Sequence, residues 1–262
     1  NLVQHRIIPR VSHEGLAFDK NNNLYFIDEL NGGSLYKYVS AKPGATSGDE
    51  FFAKGQTFVL KVGAGGQFEG NNGPAITGGA SWGAITDANG AALAGVSTVL
   101  ADGTIDGRAT ADHADVLGTG YNRPEDLEIQ TVSSGKQILY FTTTDSDNDG
   151  NSANGRGRIY SLDLTSNEVK LAADGSSLDM ATGLAVGATW SNPDNLAIDA
   201  NGNIYGIEDQ DGGRADIWFL QDLDSDGVAE SVGKWASLST SGAEPTGLYF
   251  DPFNANVAYV NV

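Results

Sequence analysis

Residues 122–129 read Asn-Arg-Pro-Glu-Asp-Leu-Glu-Ile, and a β-prone run, Ile-Leu-Tyr-Phe-Thr, follows at residues 138–142. Proline fixes its own φ and has no N–H to donate, and it biases the preceding Arg123 toward an extended conformation. The stretch therefore predicts that Glu125 and Asp126 lie at the start of a β-strand and not inside a helix.

The same construction occurs four times along the chain. Each copy has an acid, a short apolar stretch, a polar turn and a second β-prone run. The copies that begin at Glu14 and Asp194 share Leu, Ala, Asp, Asn, Asn, Tyr and Ile at matching places. Such repetition indicates a repeat architecture. The copies cover residues 14–29, 125–142, 194–209 and 244–260.

Small antiparallel units, repeated without a helical period between them, are typical of a β-propeller. We therefore predict an all-β chain with four-stranded antiparallel blades, forming a single domain over residues 1–262. Four copies are clear, and a divergent blade in the glycine-rich residues 63–120 makes five, with six as the alternative. Further strands are expected near residues 5–11, 35–39, 57–62, 82–86 and 96–100.

Composition excludes several functions. The chain has 34 acidic against 15 basic residues, a net charge of −19, so it has no basic stripe for nucleic acid. No apolar stretch approaches the length of a membrane span. Cysteine is absent, which excludes disulfides and thiolate metal sites and leaves the compartment open. Because the chain begins at Asn1 without methionine, we expect a processed, exported chain or a fragment of a longer one.

The repeated acids indicate a metal. In a propeller the innermost strands line a central channel, so Glu14, Glu125 and Asp194 would face one another, with Glu244 nearby. Clustered carboxylates repel unless protons, arginines or a cation relieve them, and Arg123 can serve only one. Oxygen ligands without thiolates favour calcium. The alternative is that these acids cap strands by accepting backbone N–H groups. Acids at the ends of the second strands, Glu208 among them, are expected either to bind the metal or to lie in solvated loops.

Two loops read Asp-x-Asp-x-Asp-Gly. Three acids at this spacing wrap one side of a calcium ion, and the glycine permits a sharp turn. The glutamate that ends an EF-hand loop is replaced by Arg156 and Gly233, so neither loop is an EF-hand. The alternative is a pair of ordinary hairpin loops. The candidate ligands are Asp145, Asp147 and Asp149 in the first loop and Asp222, Asp224 and Asp226 in the second.

The runs GTGYNRPEDLEIQ, HEGLAFDKNNNLYFIDE, GRGRIYSLDL and DNLAIDANGNIYGIED resemble the PhoX-like alkaline phosphatase family of bacterial β-propellers. A looser similarity exists to gluconolactonase and regucalcin-like propellers. The resemblance implies an exported, calcium-dependent phosphoesterase whose metal cluster also contains iron. It transfers the role of metal ligand to Glu125 first, and then to Glu14, Asp194, Glu208 and Glu244. Because the family's iron has a thiolate ligand and this chain has no cysteine, the expectation of iron is weakened.

The leading functional prediction is an exported, bacterial-type calcium-binding propeller that hydrolyses a small phosphate ester. Clustered cations would polarise the phosphoryl group, with Glu125 and Arg123 as the catalytic residues and Arg123 as a phosphate contact. Two alternatives remain open. One is a non-catalytic, calcium-stabilised propeller for adhesion or matrix assembly, and the other is a regucalcin-type lactonase. The expected partners are metal ions and the ester, without nucleic acid.

Overall fold

The structure is a computed structural model that describes residues 5–70, 73–144, 156–209, 213–254 and 256–262. The chain is 44% strand and 5% helix, as the repeated strand-turn-strand pattern predicts. It divides into two compact units, Asn1–Gly70 with Gly78–Pro124 and Asn71–Thr77 with Glu125–Val262. That one domain covers the whole chain stays a prediction. Within the described ranges, no helix is long and apolar enough to cross a membrane.

The first unit contains five antiparallel strands that pair in sequence order, except that β3 pairs with β9 instead, and we call these five strands the first sheet. Its strands are hydrogen-bonded in the order β1-β2-β4-β5-β6. The predicted strands at residues 35–39 and 57–62 are confirmed as β4 and β5. The strands of this unit are β1 Leu16–Phe18, β2 Leu24–Ile27, β3 Asn31–Gly33, β4 Leu35–Ser40, β5 Gly55–Val62, β6 Gly78–Ala84, β7 Thr98–Val99, β8 Ile105–Asp106 and β9 Tyr121–Asn122.

Two short helices interrupt the first unit, α1 at Gly48–Phe51 and α2 at Gly107–Ala111. Each begins after a side-chain cap, because Ser47 accepts the N–H of Glu50 and Asp106 accepts that of Ala109. Such caps satisfy N–H groups that the first helical turn leaves free.

Two expectations for the first unit differ from the structure. Residues 5–11 do not form a strand. They contribute a single parallel bridge, from Arg10 to Asp106, since Pro9 has no N–H to donate. In the divergent region, β6 extends the first sheet and β7 pairs with β8. The described residues of that region thus do not confirm a four-stranded blade, and the number of blades stays a prediction.

The second unit contains two runs of four strands that are hydrogen-bonded in sequence order, and we call these runs the second and third sheets. The second sheet has the order β10-β11-β12-β13, the third has the order β14-β15-β16-β17, and β18 pairs with β19. A 3-10 turn at Gly187–Thr189 leads into the third sheet. The strands are β10 Pro124–Thr131, β11 Gln137–Thr143, β12 Arg158–Asp163, β13 Glu168–Ala173, β14 Pro193–Ile198, β15 Ile204–Glu208, β16 Asp216–Gln221, β17 Ser231–Ser237, β18 Thr246–Phe250 and β19 Ala258–Asn261.

Successive sheets of the second unit pack face to face. Tyr140 and Ile159 of the second sheet share a buried cluster with Leu196 and Trp218 of the third. A second buried cluster joins the third sheet to Leu248 of β18. Stacked small sheets of this kind, each burying one face against the next, are the building principle of a propeller. Trp190 and Trp218 are among the largest fully buried side chains of this core.

Candidate metal and phosphate site

Three of the repeated acids, Glu14, Glu125 and Asp194, lie two residues before the leucine that aligns their copies, whereas Glu244 lies four residues before its own. Glu125 is the second residue of β10 and Asp194 is the second residue of β14. Glu14 lies two residues before β1, and Glu244 lies two residues before β18. Glu125 is 1% exposed and Asp194 is 7% exposed, whereas Glu14 and Glu244 are exposed. We call Glu14, Glu125, Asp194 and Glu244 the first-strand acids.

Hydrogen bonds join the first strands of the second unit close to these acids. The N–H of Leu196 donates to Asp126 Oδ2 at 2.9 Å, and the N–H of Gly247 donates to Asn195 Oδ1 at 3.1 Å. In each case the acceptor immediately follows a first-strand acid. The Thr142 hydroxyl also donates to the carbonyl of Asp194. The starts of β10 and β14 are therefore held side by side.

A hydroxyl group orients the Glu125 carboxylate. Thr144 Oγ1 donates to Glu125 Oε1 at 2.6 Å. A buried carboxylate requires hydrogen bonds or a cation, because burial removes its hydration. Thr144 was not singled out by the sequence, although its position at the end of the β-prone run was a usable signal.

The backbone before Glu125 differs from the prediction. Arg123 has φ = +51°, a left-handed conformation, where the following proline favoured an extended one. Asn192, which precedes Pro193 and Asp194, has φ = +46°. A left-handed residue other than glycine costs about 1–2 kcal/mol. Its recurrence before the two buried first-strand acids indicates that tertiary contacts impose this bend. Strain of this kind clusters at functional sites.

One such contact lies directly upstream of Arg123. The N–H of Asn122 donates to the buried Glu69 at 3.0 Å. The Arg123 side chain itself donates from Nη2 to Glu29 Oε1 at 3.1 Å. The guanidinium therefore pairs with the Glu29 carboxylate and remains partly exposed.

Two acids at the ends of second strands are fully buried. Asp28 follows β2 and accepts the N–H of Ser12 at 2.9 Å, while Arg108 contacts both of its oxygens. Glu208 ends β15 and accepts three N–H groups: those of Ser191 at 2.7 Å, of Asp216 at 2.9 Å and of the Trp218 indole at 2.7 Å. Both carboxylates are 0% exposed, and we call them the strand-end acids.

Burial raises the pKa of two carboxyl groups in these strands. It raises the pKa of Glu208 to about 7, against the opposing effect of the N–H donors. Burial, together with the nearby charge of Asp126, also raises the pKa of Glu128 in β10 to about 7. Glu128 carried no sequence signal, because nothing in a single sequence shows which strand acid lies against apolar neighbours.

The second acidic loop forms a compact group of oxygen atoms. Carboxylate oxygens of Asp222, Asp224 and Glu230 all lie within 4.8 Å of one another. Asp226 instead pairs with Lys170 at 3.0 Å, so it does not join them. Glu230 was missed, although acids at that distance along a calcium loop often contribute a ligand. The first acidic loop, with Asp145, Asp147 and Asp149, lies outside the described residues.

A serine motif of hydrolases occurs in the chain without its structural context. Residues 79–83 read Gly-Ala-Ser-Trp-Gly, the pattern of a nucleophile elbow. That elbow needs a sharp turn from a strand into a helix. Here the residues lie within β6, where Ser81 pairs with Lys61 of β5. The motif therefore does not indicate a serine nucleophile.

Comparison with known protein families shows to which family the chain belongs. The family described as alkaline phosphatase PhoX matches residues 2–262. The chain belongs to the PhoX alkaline phosphatase family. This confirms the resemblance carried by the repeated runs. None of the curated proteins compared with the chain matches it.

Two solved structures illustrate the likeness of the PhoX-family chain. One is Pseudomonas fluorescens PhoX in complex with vanadate, a transition state analogue, with a TM-score of 0.62 and 20% identity over 95% of this chain and 48% of that chain. The other is the PQQ-bound aldose sugar dehydrogenase of Streptomyces coelicolor, with a TM-score of 0.32 and 12% identity over 95% of this chain and 75% of that chain. Only the first score supports a shared fold. It confirms the predicted β-propeller, and the chain spans about half of that PhoX.

Proposed function

We propose that the chain hydrolyses phosphate esters with the help of calcium, and that Glu125 and Asp194 hold the cation. One observation supports this above the others: two buried carboxylates lie at the starts of neighbouring, hydrogen-bonded first strands. Membership of the PhoX family supports the reaction class. We also propose Glu14 and Glu244 as calcium ligands: Glu14 occupies the corresponding place in the first sheet, and Glu244 lies two residues before the corresponding residue, Thr246, of its own copy.

The chemistry of the donors fits calcium. Glu125, Asp194 and the Thr144 hydroxyl offer hard oxygen atoms, the ligands that calcium prefers. The chain has no cysteine, so its own residues supply no thiolate that would favour iron. We therefore propose calcium, and iron forms no part of the proposal.

The side chains of this stretch suit a phosphate substrate. Bound calcium would supply positive charge to a phosphoryl oxygen. Arg123 has a partly exposed guanidinium whose pairing with Glu29 limits its motion, and such a group donates two parallel N–H bonds to a phosphate. Thr144 fixes the rotamer of Glu125 through its hydroxyl. Preorganised charges and donors of this type are the main source of rate enhancement in phosphoryl transfer.

The proposal is tested by measuring the hydrolysis of p-nitrophenyl phosphate in calcium. Glu125→Gln should lower turnover by about 10²–10³-fold, the usual effect of removing one charged contact from a dry site, while the circular dichroism spectrum is retained. Glu128→Gln, three residues along the same strand, is the matched control and should retain most activity. An equal loss in both variants would refute the role of Glu125. Calcium binding by wild type without hydrolysis would favour the adhesion or matrix alternative.

Two further features belong to the proposal. The acids Asp222, Asp224 and Glu230 offer a second, weaker calcium site, which Asp224→Asn should abolish in a calcium titration. Export is proposed from family membership and is compatible with a chain that needs no reduced cysteine. Fractionation of cells that produce the full-length protein tests it, since recovery in the cytoplasm would contradict export.

A further inference from the structure

The strand-end acids occupy one structural position in two different sheets. In the first sheet Leu16 pairs with Phe26, and in the third sheet Leu196 pairs with Gly206. Asp28 and Glu208 each lie two residues beyond the second member of those pairs. Because the leucines align the copies, the two buried carboxylates are equivalent.

Each strand-end acid fastens the segment that precedes a first-strand acid. Asp28 accepts the N–H of Ser12, two residues before Glu14, and Glu208 accepts that of Ser191, three residues before Asp194. The next residue returns a bond in both copies, since the N–H of Glu29 donates to the Ser12 carbonyl at 2.8 Å and that of Asp209 to the Asn192 carbonyl at 2.9 Å.

These contacts occupy the carboxylate oxygens. Glu208 Oε1 accepts from Ser191 and from Trp218, and Oε2 accepts from Asp216. Both oxygens of Asp28 contact Arg108. An oxygen that already accepts one or two N–H groups is poorly placed to bind a cation as well. The arrangement therefore fits two residues that hold the backbone in place better than it fits two metal ligands.

We propose that Asp28 and Glu208 are positioning residues, which hold the chain before Glu14 and Asp194 so that these acids can bind calcium. The proposal rests on the proposed function. The family resemblance implies that Glu208 is a metal ligand, whereas this proposal makes it a residue that positions the ligands. The bend at Asn192 lies between the Ser191 contact and Asp194. Loss of the Ser191 contact would release that bend and with it the direction of the Asp194 side chain.

The test compares two variants of the third sheet. Glu208→Gln keeps the side-chain volume but replaces one accepting oxygen by an NH2 group, which cannot accept from a backbone N–H. The matched control is Asp199→Asn at the opposite end of β14, where Asp199 accepts the N–H groups of Asn201 and Asn203. Calcium affinity is measured by calorimetry at 25 °C and pH 8, and amide hydrogen exchange is followed in the peptide that contains Ser191.

We expect Glu208→Gln to weaken calcium binding at least tenfold and to accelerate exchange at Ser191. The control should keep its affinity within twofold, although its melting temperature falls. If Glu208→Gln only lowers the melting temperature and keeps its affinity, the carboxylate is merely structural and the proposal is overturned. Should Glu208→Gln fail to fold, Trp218→Phe removes one donor to the same oxygen and should weaken binding several-fold.

Failure of the proposed function is a separate result. Wild type that binds no calcium would refute the calcium site itself, and the exchange measurement would then decide the positioning role. Unchanged protection of Ser191 in Glu208→Gln would overturn that role, whereas faster exchange would support it.

Discussion

The first and third sheets are alike at one end and different at the other. At the turn end, Asp19 accepts the N–H groups of Asn21 and Asn23, and Asp199 makes the same contacts with its own turn. At the opposite end, Arg108 neutralises the strand-end acid Asp28, whereas Glu208 is held by neutral N–H donors. The turn needs only residues within a few positions of each other. Charge compensation depends on residues far along the chain, so it can diverge between copies.

The largest loss of stability is expected where an ion pair compensates the charge of the buried carboxylate. Arg108→Met leaves the buried Asp28 carboxylate without its counter-charge, which typically costs about 3–5 kcal/mol. At about 2–4 °C per kcal/mol, thermal unfolding should shift down by about 6–20 °C. Arg108→Lys should lie in between, because it keeps the charge and loses the planar two-point contact. In the third sheet, Trp218→Phe removes one neutral donor and should cost about 1.5–3 kcal/mol. Equal losses of stability in Arg108→Met and Trp218→Phe would show that an ionic partner and a neutral donor stabilise these acids to the same extent.

Variants in the first and third sheets should also differ in how much thermal stability they gain from calcium. A ligand that binds only the folded state stabilises it by about 4 kcal/mol at a thousandfold excess over Kd. Chelation should therefore lower the melting midpoint by about 8–16 °C, and magnesium should restore little, since it demands stricter octahedral geometry. Asp194→Asn should remove more of this response than Glu14→Gln, because Asp194 is buried and Glu14 is exposed.

The measurement is a thermal melt in excess calcium and again in chelator, at constant ionic strength. Asp224→Asn serves as the control and should alter only a weaker component of the response. Superimposable curves for wild type would mean that the first-strand acids are capping residues and that no calcium site stabilises the fold.

The burial of Glu208 predicts a dependence of stability on pH. Burial raises its pKa from 4.5 to about 7, so the folded chain binds the proton more tightly than the unfolded chain does. Stability should therefore fall as pH rises from about 4.5 to about 7, by up to about 3 kcal/mol, and then level off. Glu128, whose pKa is also raised to about 7, should add a further loss of stability as the pH rises over the same range. Urea unfolding in chelator between pH 5 and pH 8 measures both contributions. Glu208→Gln and Glu128→Gln should each flatten part of the curve, and a stability that rises over this range would contradict the assignment.

Local patterns explain why much of the fold could be predicted. The repeated acid, apolar stretch and Asn-rich turn determine a hairpin within about 15 residues, so the strands that follow Glu14 and Asp194 were recognisable. The region of residues 63–120 lacks that pattern. The strand expected near residues 96–100 is present as β7, but its partner β8 and the α2 helix were not anticipated. Its geometry depends on tertiary contacts, such as that of Arg108 with Asp28, which a single sequence does not reveal.

The candidate site was predictable to a similar extent. Repetition identified the positions of Glu125 and Asp194, but it did not show that both are buried while Glu14 is exposed. The left-handed bend at Arg123 contradicted a rule that holds for isolated peptides. The bond from Asn122 to Glu69, residues far apart in the sequence, overrides that local preference.

The smallest expected effect tests the similarity at the turn end. Asp19→Asn and Asp199→Asn each keep one accepting oxygen and lose the charge that strengthens the bonds to the turn. Each also loses the oxygen that accepts from an asparagine side chain, Asn23 or Asn203. Because one accepting oxygen remains in each variant, we expect a net cost of about 1 kcal/mol, so each midpoint should fall by about 2–4 °C. Because the two turns have the same contacts, the two losses should agree within about 0.5 kcal/mol and should add in the double variant. Unfolding curves in urea, recorded in chelator at one pH, measure all three variants. A difference above about 1 kcal/mol between the single variants would show that the turns share a sequence without sharing an energetic role.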